Sequence, residues 1–202
     1  MLKRKSYIER IIIMVLFFTT LVIFFRNKEL SQKLANNVNL SYARLNRLAE
    51  AIMLADDFYG HNFPIIQLKD INNSTNFYTK TKRPTIILLY SENGCNLCLE
   101  SEIIYLKKLY DVIKQRNLNI DVFLIGLQID KINLLKLIKT KKLLFPILND
   151  EKGELLEWMP TQVSPLLLLI DQNQKIIRAH FPIIDDKILM EKNFNALQRF
   201  IN

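Results

Sequence analysis

The apolar and polar positions around the middle of the chain follow two different periods. Thr85–Tyr90 is a continuous apolar run rich in β-branched residues, which is typical of a strand buried on both faces. The polar stretch Ser91–Gly94 interrupts the pattern. Apolar positions then recur with a period near 3.6 residues, at Ile103, Ile104, Leu106, Leu109, Tyr110 and Ile113. This order predicts a buried strand, a turn and an amphipathic helix that ends near residue 115.

The same patterns predict the remaining elements of an α/β fold. Further strands are expected over residues 63–68, 120–127, 144–148, 166–171 and 175–180, and further helices over 129–142, 154–159 and 185–202. The polar segment Asp70–Arg83 predicts a loop or hairpin. Because strands and helices alternate, we expect a mixed sheet with helices on both faces.

Residues 27–58 contain neither Gly nor Pro and predict a long helix. Their apolar positions follow a 4-3-4-3 spacing through Val38, Tyr42, Leu45, Ala49 and Ile52. One interpretation is a helical stalk that forms a weak homodimer as a coiled coil. The pattern is short and is interrupted by asparagines at residues 36, 37 and 39. The other interpretation is therefore a helix that packs on its own domain or spaces that domain from a membrane.

An uncharged apolar run, Ile11–Phe25, lies between Arg10 and Arg26. A membrane span usually needs about 20 apolar residues, and flanking basic side chains can snorkel to extend a shorter run. A cleavable signal peptide is the alternative, but no small-x-small cleavage site follows Arg26. We predict a basic tail over residues 1–10, a transmembrane signal anchor over 11–26, the stalk over 27–58 and a folded domain over 60–202.

The basic residues indicate how such an anchor would be oriented. Lys3, Arg4, Lys5 and Arg10 precede the apolar run, so the N-terminus is expected in the cytoplasm. The chain would be a single-pass protein of the cell membrane with its folded domain on the extracytoplasmic, periplasmic side, where disulfides persist. The net charge is +8, yet no basic cluster is interleaved with aromatic residues. Nucleic-acid binding is therefore not expected.

The two cysteines of the chain, Cys95 and Cys98, form a C-x-x-C motif at the predicted helix start. Residues i and i+3 of a first helical turn are neighbours, so the two sulfurs can close a disulfide. Unpaired N–H groups and the positive end of the helix dipole favour a thiolate there. We therefore expect Cys95 to attack substrate disulfides and Cys98, one turn deeper, to resolve the mixed disulfide.

Two other interpretations of the motif are weaker. Buried free cysteines can act as apolar residues, but Gly94 and Asn96 beside Cys95 indicate a turn rather than a core. A zinc site needs two further ligands, and the only histidines, His61 and His180, lie far apart in the sequence. A C-x-x-C next to a βαβ pattern is typical of redox activity. No cofactor is expected beyond a redox-active disulfide.

Three stretches of the chain resemble membrane-anchored thioredoxin-like proteins of the TlpA/redoxin type. They are Leu88–Cys98, Phe145–Gly153 and Val163–Gln174, and the resemblance covers residues 60–202. It implies a thioredoxin-like fold and a thiol–disulfide oxidoreductase that reduces or isomerises disulfides of exported proteins, for example in cytochrome c maturation. It also implies a membrane protein or another thioredoxin-like domain as electron donor.

The third stretch is similar to the family segment in which a cis-proline precedes a strand and faces the cysteines. The resemblance implies that the Ser164–Pro165 bond is cis and that the Ser164 backbone pairs with the substrate chain. The candidate substrate-binding residues are Ser164, Pro165, Gly94, Asn96 and Leu97.

The chain departs from the family pattern at several positions near the cysteines. Many members have Trp before the first cysteine and Pro before the second, where this chain has Gly94 and Leu97. Many also have Glu three residues after the second cysteine, where this chain has Ser101. Glu102 is the candidate proton acceptor for Cys98, because a buried carboxylate can accept a proton. The other interpretation of Glu102 is a solvated charge on the helix surface.

The residues between the cysteines indicate a direction of electron flow. Asn96 and Leu97 supply no cation to stabilise a thiolate, and nearby carboxylates oppose one. We therefore expect a reductase or isomerase rather than a strong oxidant.

Three alternative functions stay open. A thiol peroxidase of the peroxiredoxin type would have Thr or Ser three residues before the first cysteine, where this chain has Glu92. A copper-handling module could use Cys95, Cys98 and His180 as soft ligands, although His180 is expected at a surface strand end. The third alternative is a redox-inert, membrane-tethered interaction domain.

Overall fold

The computed structural model describes residues 2–71, 75–80, 82–160, 164–182, 191–192, 195–196 and 199, without the side chains of residues 2–13, 15, 76 and 78. The helix predicted over residues 185–202 lies mostly outside this described part. The chain divides into two compact units, residues 1–47 and residues 48–202.

The first unit consists of helix. Helix α1 (Leu2–Asp56) covers all of its described residues and continues to Asp56, in agreement with the helix predicted from residue 27 onwards. Among the residues whose side chains are described, no helix is long and apolar enough to cross a membrane. The structure does not confirm the transmembrane segment predicted over residues 11–26.

The second unit is built on one seven-stranded mixed sheet. The strands are β1 (Gln67–Asp70), β2 (Asn76–Tyr78), β3 (Thr85–Tyr90), β4 (Asp121–Leu127), β5 (Ile147–Asp150), β6 (Leu166–Ile170) and β7 (Ile176–His180). Their order is β2-β1-β5-β4-β3-β6-β7. Strand β4 pairs in parallel with β3 and β5, and the other neighbours are antiparallel. The mixed sheet predicted from the sequence is confirmed.

Helices cover both faces of this sheet. Helices α2 (Asn96–Gln115) and α3 (Lys131–Lys141) pack on one face, and α4 (Glu154–Trp158) packs on the other with the end of α1. Strand β3 is buried along its whole length because its alternate residues enter two different cores. Ile86 and Leu88 face α2, whereas Ile87 and Leu89 face the opposite core. This explains the continuous apolar run of the sequence.

The strand predicted over residues 63–68 is wrong for residues 63–66, since β1 begins at Gln67. Pro64 has no N–H to give to a strand ladder. The N–H of Phe63 donates to Gln174 O (2.8 Å), and the N–H of Ile66 donates to Thr79 Oγ1 (2.9 Å). The segment is therefore fixed by these two bonds. The β1–β2 hairpin lies where a loop or hairpin was expected.

Strand β5 begins and ends later than the predicted 144–148, because Asn149 and Asp150 pair with β4. The buried Asp150 carboxylate also starts α4. It accepts the N–H groups of Gly153 (3.0 Å), Glu154 (3.0 Å) and Leu155 (2.8 Å). The apolar pattern predicts a strand end at Leu148, but the polar residues Asn149 and Asp150 extend the strand by two positions. The strands at β3, β4, β6 and β7 and the helices α2, α3 and α4 lie within two residues of their predicted bounds.

Candidate active site at Cys95 and Cys98

The turn after β3 places Cys95 directly before α2, at its N-cap. The N–H of Gly94 donates to Ser91 O (3.0 Å) and closes the turn. Cys95 is the N-cap residue, with φ −73° and ψ 103°, and its Sγ accepts the N–H of Cys98 at 3.2 Å. The sulfur therefore lies where unpaired N–H groups and the helix dipole favour negative charge.

Cys95 and Cys98 form a disulfide, with their Cα atoms 5.2 Å apart. Cys95 is half-buried, whereas Cys98 is only 6% exposed. Between them Leu97 is 65% exposed. An incoming thiol or disulfide can therefore approach Cys95 more easily than Cys98, which lies inside the domain. This arrangement is compatible with an attacking Cys95 and a resolving Cys98.

Ser164 joins the loop before β6 to the cysteine turn. The Ser164–Pro165 peptide bond is cis, as the resemblance implied. The N–H of Cys95 donates to Ser164 O (3.0 Å), and the N–H of Ser91 donates to Ser164 Oγ (2.8 Å). Of the predicted site residues, Gly94, Cys95 and Ser164 are thus brought together. Pairing of the Ser164 backbone with a substrate chain stays a prediction.

Gly94 lies directly against Ser164. A Cβ atom on residue 94 would lie 2.6 Å from Ser164 Oγ and 2.8 Å from Ser164 O, which is too close for any side chain. Glycine is required here by the close approach of two backbone segments. The Ser164 side chain occupies the space that a tryptophan at position 94 would need, which explains this departure from the family pattern.

Tyr90 is a site residue that the sequence did not reveal. Its hydroxyl donates to Asn96 Oδ1 at 2.8 Å, so the end of β3 holds the first residue between the two cysteines. Burial raises the pKa of Tyr90 above 10, and the negative charge of Glu92 raises this pKa further. The hydroxyl is therefore protonated and available as a donor throughout the neutral range.

We expect Tyr90→Phe to lower the free energy of unfolding by about 0.5–1.5 kcal/mol at pH 7, through loss of the bond to Asn96. The folded chain favours the neutral hydroxyl, so this contribution is complete below about pH 10 and is lost as the pH rises through the raised pKa. Urea unfolding of both chains between pH 7 and 11 measures it. A stability difference that does not shrink above pH 10 would contradict the assignment.

The three carboxylates around the motif have different surroundings. Glu92 accepts a hydrogen bond from Asn133 Nδ2 (2.6 Å), and Glu100 forms an ion pair with Lys141 Nζ (2.6 Å). Glu102 is 5% exposed and its Oε1 lies 3.5 Å from His180 Nε2. The interpretation of Glu102 as a solvated surface charge is therefore wrong. Its role as proton acceptor stays a prediction.

His180 is buried at the end of β7, so the expected surface position is wrong as well. No sequence pattern indicates its contact with Glu102, because the two residues lie far apart along the chain. Among the residues that the structure describes, no group of three or more His, Cys, Asp or Glu side chains is placed to hold a metal ion. The copper-handling alternative gains no support from this geometry.

This geometry can be compared with known proteins. The family model of the AhpC/TSA family matches residues 59–192. The chain belongs to the AhpC/TSA family. Together with the Cys95–Cys98 disulfide, this membership assigns the chain to the thiol–disulfide oxidoreductases. No curated protein sequence matches the chain.

Several solved structures are similar to this AhpC/TSA-family chain. One is the thioredoxin domain of a thiol-disulfide oxidoreductase from Bacteroides vulgatus, with TM-score 0.59, 17% identity, 71% of this chain and 98% of that chain covered. Another is a putative thiol:disulfide interchange protein DsbE from Chlorobium tepidum, with TM-score 0.55, 19% identity and coverages of 68% and 96%. A third is StoA from Bacillus subtilis, with TM-score 0.50, 19% identity and coverages of 64% and 96%. The thioredoxin-like fold is thereby confirmed.

Proposed function

We propose that this chain is a membrane-anchored oxidoreductase that reduces or isomerises disulfides of exported proteins outside the cytoplasm. The observation that carries the proposal is the half-buried Cys95 at the start of α2, bonded to Ser164 of the cis Ser164–Pro165 peptide and joined to the buried Cys98. The name of one similar structure, a thiol:disulfide interchange protein, supports protein disulfides as substrates. Cytochrome c maturation is one process that would supply such substrates.

The site would work as a two-thiol exchange. In the reduced chain, the Cys95 thiolate attacks a substrate disulfide, forms a mixed disulfide and releases one substrate thiolate, which takes up a proton. Cys98 then loses its proton and attacks Cys95 Sγ, which forms the Cys95–Cys98 disulfide and releases the second substrate thiolate. The substrate gains two electrons. A membrane protein or another thioredoxin-like domain would return two electrons to the chain.

The surroundings of Cys95 support binding of an extended substrate segment. Gly94 has no side chain, and Leu97 is exposed beside the sulfur. An apolar substrate side chain could pack on Leu97 while its backbone follows Asn96 and the Ser164–Pro165 loop. The affinity for a substrate would then depend on backbone contacts more than on one specific sequence, as suits an enzyme that acts on several proteins.

The charges around the motif support the reducing direction. Asn96 and Leu97 are uncharged, Glu92 places a negative charge before them, and the charge of Glu100 after them is paired with Lys141. A thiolate at Cys95 is therefore stabilised by the helix start more than by cationic side chains. A less stabilised thiolate shifts the equilibrium towards the disulfide, which makes the reduced chain the better electron donor.

Features of the first unit support the proposed anchor. Its apolar side chains from Leu16 to Phe25 are largely exposed on α1. The hydroxyls of Thr19 and Thr20, the polar residues of this run, donate to Leu16 O at 2.9 Å. Such internal bonds satisfy the hydroxyl donors without water, as an apolar environment requires. With basic residues concentrated before the run, the proposed orientation places residues 60–202 on the extracytoplasmic side.

Trapping of mixed disulfides tests the proposal. In a full-length Cys98→Ala chain expressed in a bacterium, Cys95 can attack but no sulfur can release it, so exported proteins should stay covalently attached. A Cys95→Ala/Cys98→Ala chain is the matched control and should trap none. Adducts that contain only cytoplasmic proteins would contradict the location. The absence of any adduct would contradict the reaction.

A further inference from the structure

The bond between Tyr90 and Asn96 joins the core of the domain to the exposed surface of the C-x-x-C motif. Tyr90 ends β3, is only 9% exposed and belongs to the core on which α2 packs. Asn96 is the first residue of α2 and is exposed. The Tyr90 hydroxyl donates to Asn96 Oδ1 at 2.8 Å. A side chain that would otherwise rotate freely in solvent is thereby fixed to an inner strand of the sheet.

This bond determines how the Asn96 amide is oriented. The amide oxygen and nitrogen branch from the same carbon atom, so an Oδ1 atom held by Tyr90 turns Nδ2 away from the tyrosine. Burial, and then the negative charge of Glu92, raise the pKa of Tyr90, so its hydroxyl stays protonated and serves as the donor. Within the described part of the chain, Nδ2 has no hydrogen-bond partner. The residue that follows Cys95 thus presents two unused N–H donors.

The surroundings of Asn96 indicate which acceptor fits these donors. The negative charge of Glu92 acts on Tyr90, the partner of Asn96, and would repel an anionic ligand at the same place. A backbone carbonyl is neutral, and every residue of an extended substrate segment carries one. Ser164 bonds to the residues up to Cys95, through its O and Oγ atoms, whereas Asn96 lies beyond them. The donors of Asn96 therefore complement the contacts of the Ser164–Pro165 loop.

We propose that Asn96 Nδ2 donates a hydrogen bond to a substrate backbone carbonyl near the attacked disulfide, and that Tyr90 is the positioning residue that orients this amide. The inference rests on the proposed exchange function and names how that site selects its substrates. A disulfide carried by a peptide chain is favoured over a disulfide in a small molecule that has no amide group.

Two disulfides of different chemistry test this selection. A capped peptide with one cysteine among glycine and alanine residues, oxidised to its disulfide dimer, offers backbone carbonyls and no polar side chain. The compound 2-hydroxyethyl disulfide offers no amide group. Each is mixed with the full-length reduced chain at neutral pH, and acid quenching followed by alkylation gives the second-order rate constant for loss of the chain's thiols. The selectivity is the rate constant for the peptide divided by that for the small disulfide.

We expect Asn96→Ala to lower this selectivity by about 2- to 10-fold, the effect of one hydrogen bond on a rate. Tyr90→Phe keeps the amide but releases it, so the selectivity should fall by a smaller factor of about 2 or more, the cost of ordering the side chain anew in each encounter. The rate constant with 2-hydroxyethyl disulfide should stay within about 2-fold of the native value in both variants, since a change smaller than one hydrogen bond is expected there.

The double variant tests whether Tyr90 acts through Asn96. If it does, adding Tyr90→Phe to Asn96→Ala should lower the selectivity no further, because the group that Tyr90 orients is already absent. Asn93→Ala, at an exposed asparagine of the same turn, is the matched control for Asn96. Tyr59→Phe, at a tyrosine that is 66% exposed, is the control for Tyr90. Both control chains should keep the native selectivity.

The other outcomes contradict the inference at separate points. An unchanged selectivity in Asn96→Ala would overturn the proposed donor. An unchanged selectivity in Tyr90→Phe, or a further loss in the double variant, would overturn the positioning role of Tyr90. Equal slowing with both disulfides would show that the bond only shapes the turn, and would overturn the inference while the exchange function stands. A native chain that reacts with neither disulfide would overturn the exchange function itself.

Discussion

Replacing Cys95 with serine is expected to reduce the rate of insulin disulfide reduction to that of the added dithiol alone, so that the whole chain-dependent part of the rate is lost. The reason is chemical, because a serine hydroxyl does not ionise near neutral pH and cannot attack a disulfide. We propose this role for Cys95, because it is half-buried and caps the helix start. Insulin precipitation measured with the native and variant chains gives the comparison.

Cys98→Ser is the matched variant, since it removes the other sulfur of the same disulfide. It should also fail to turn over, but its Cys95 should still form a mixed disulfide with glutathione, which mass spectrometry detects. The Cys95→Ser chain should form little of this adduct, because Cys98 is only 6% exposed. Equal adduct formation through either cysteine would contradict the assigned order of attack.

The Gly94→Ala substitution is expected to cost about 1–3 kcal/mol of unfolding free energy, the usual range for an added group in a filled space. The new Cβ would meet Ser164 Oγ at 2.6 Å and Ser164 O at 2.8 Å. To avoid this clash, the Ser164–Pro165 loop must move away from residue 94 and therefore from Cys95. The reaction of Cys95 with glutathione disulfide should slow as well. Gly94→Trp, which restores the residue common in the family, should have a larger effect on both quantities.

Two further variants test whether the contact with Ser164 causes the loss of stability in Gly94→Ala. Adding Ser164→Gly to Gly94→Ala removes Oγ and Cβ but leaves the carbonyl oxygen, so part of the lost stability should return. Gly60→Ala is the control, because its Cβ would meet no atom within 4 Å but would sit at a φ of +78°. It should lower stability through backbone strain without slowing Cys95. A Gly94→Ala chain as stable and as reactive as the native one would contradict the close approach.

The elements next to the cysteines could be predicted because local patterns determine them. The run at Thr85–Tyr90 and the helical period after Cys98 are strong signals, and both bounds agree with the structure. The apolar pattern of residues 63–66 is typical of a strand, but the segment is bonded to Thr79 and Gln174 instead of to a strand ladder. That choice depends on tertiary contacts that no local pattern records.

The site was predictable only in part, for the same reason. The motif and the proline loop are visible in the sequence, whereas the contacts that bind them are not. Ser164 leaves no room for a side chain at Gly94, although the two residues lie far apart in the sequence. Tyr90 is bonded to Asn96 through its hydroxyl, but in the sequence it is simply the last residue of an apolar strand. Glu102 is buried on the face of α2 that packs on the sheet, where its carboxylate lies near His180 at the end of β7. This contact between distant segments has no signal in the sequence.

A redox titration tests most directly whether Cys95 and Cys98 cycle between dithiol and disulfide. The full-length chain is equilibrated with dithiothreitol or glutathione buffers, and alkylation of free thiols gives the disulfide fraction at each potential. We predict a reversible two-electron transition with a midpoint between about −180 and −270 mV, the range from protein disulfide isomerase to thioredoxin. A disulfide that stays closed under reducing buffer, or a midpoint near the about −120 mV of a strong oxidant, would contradict this account.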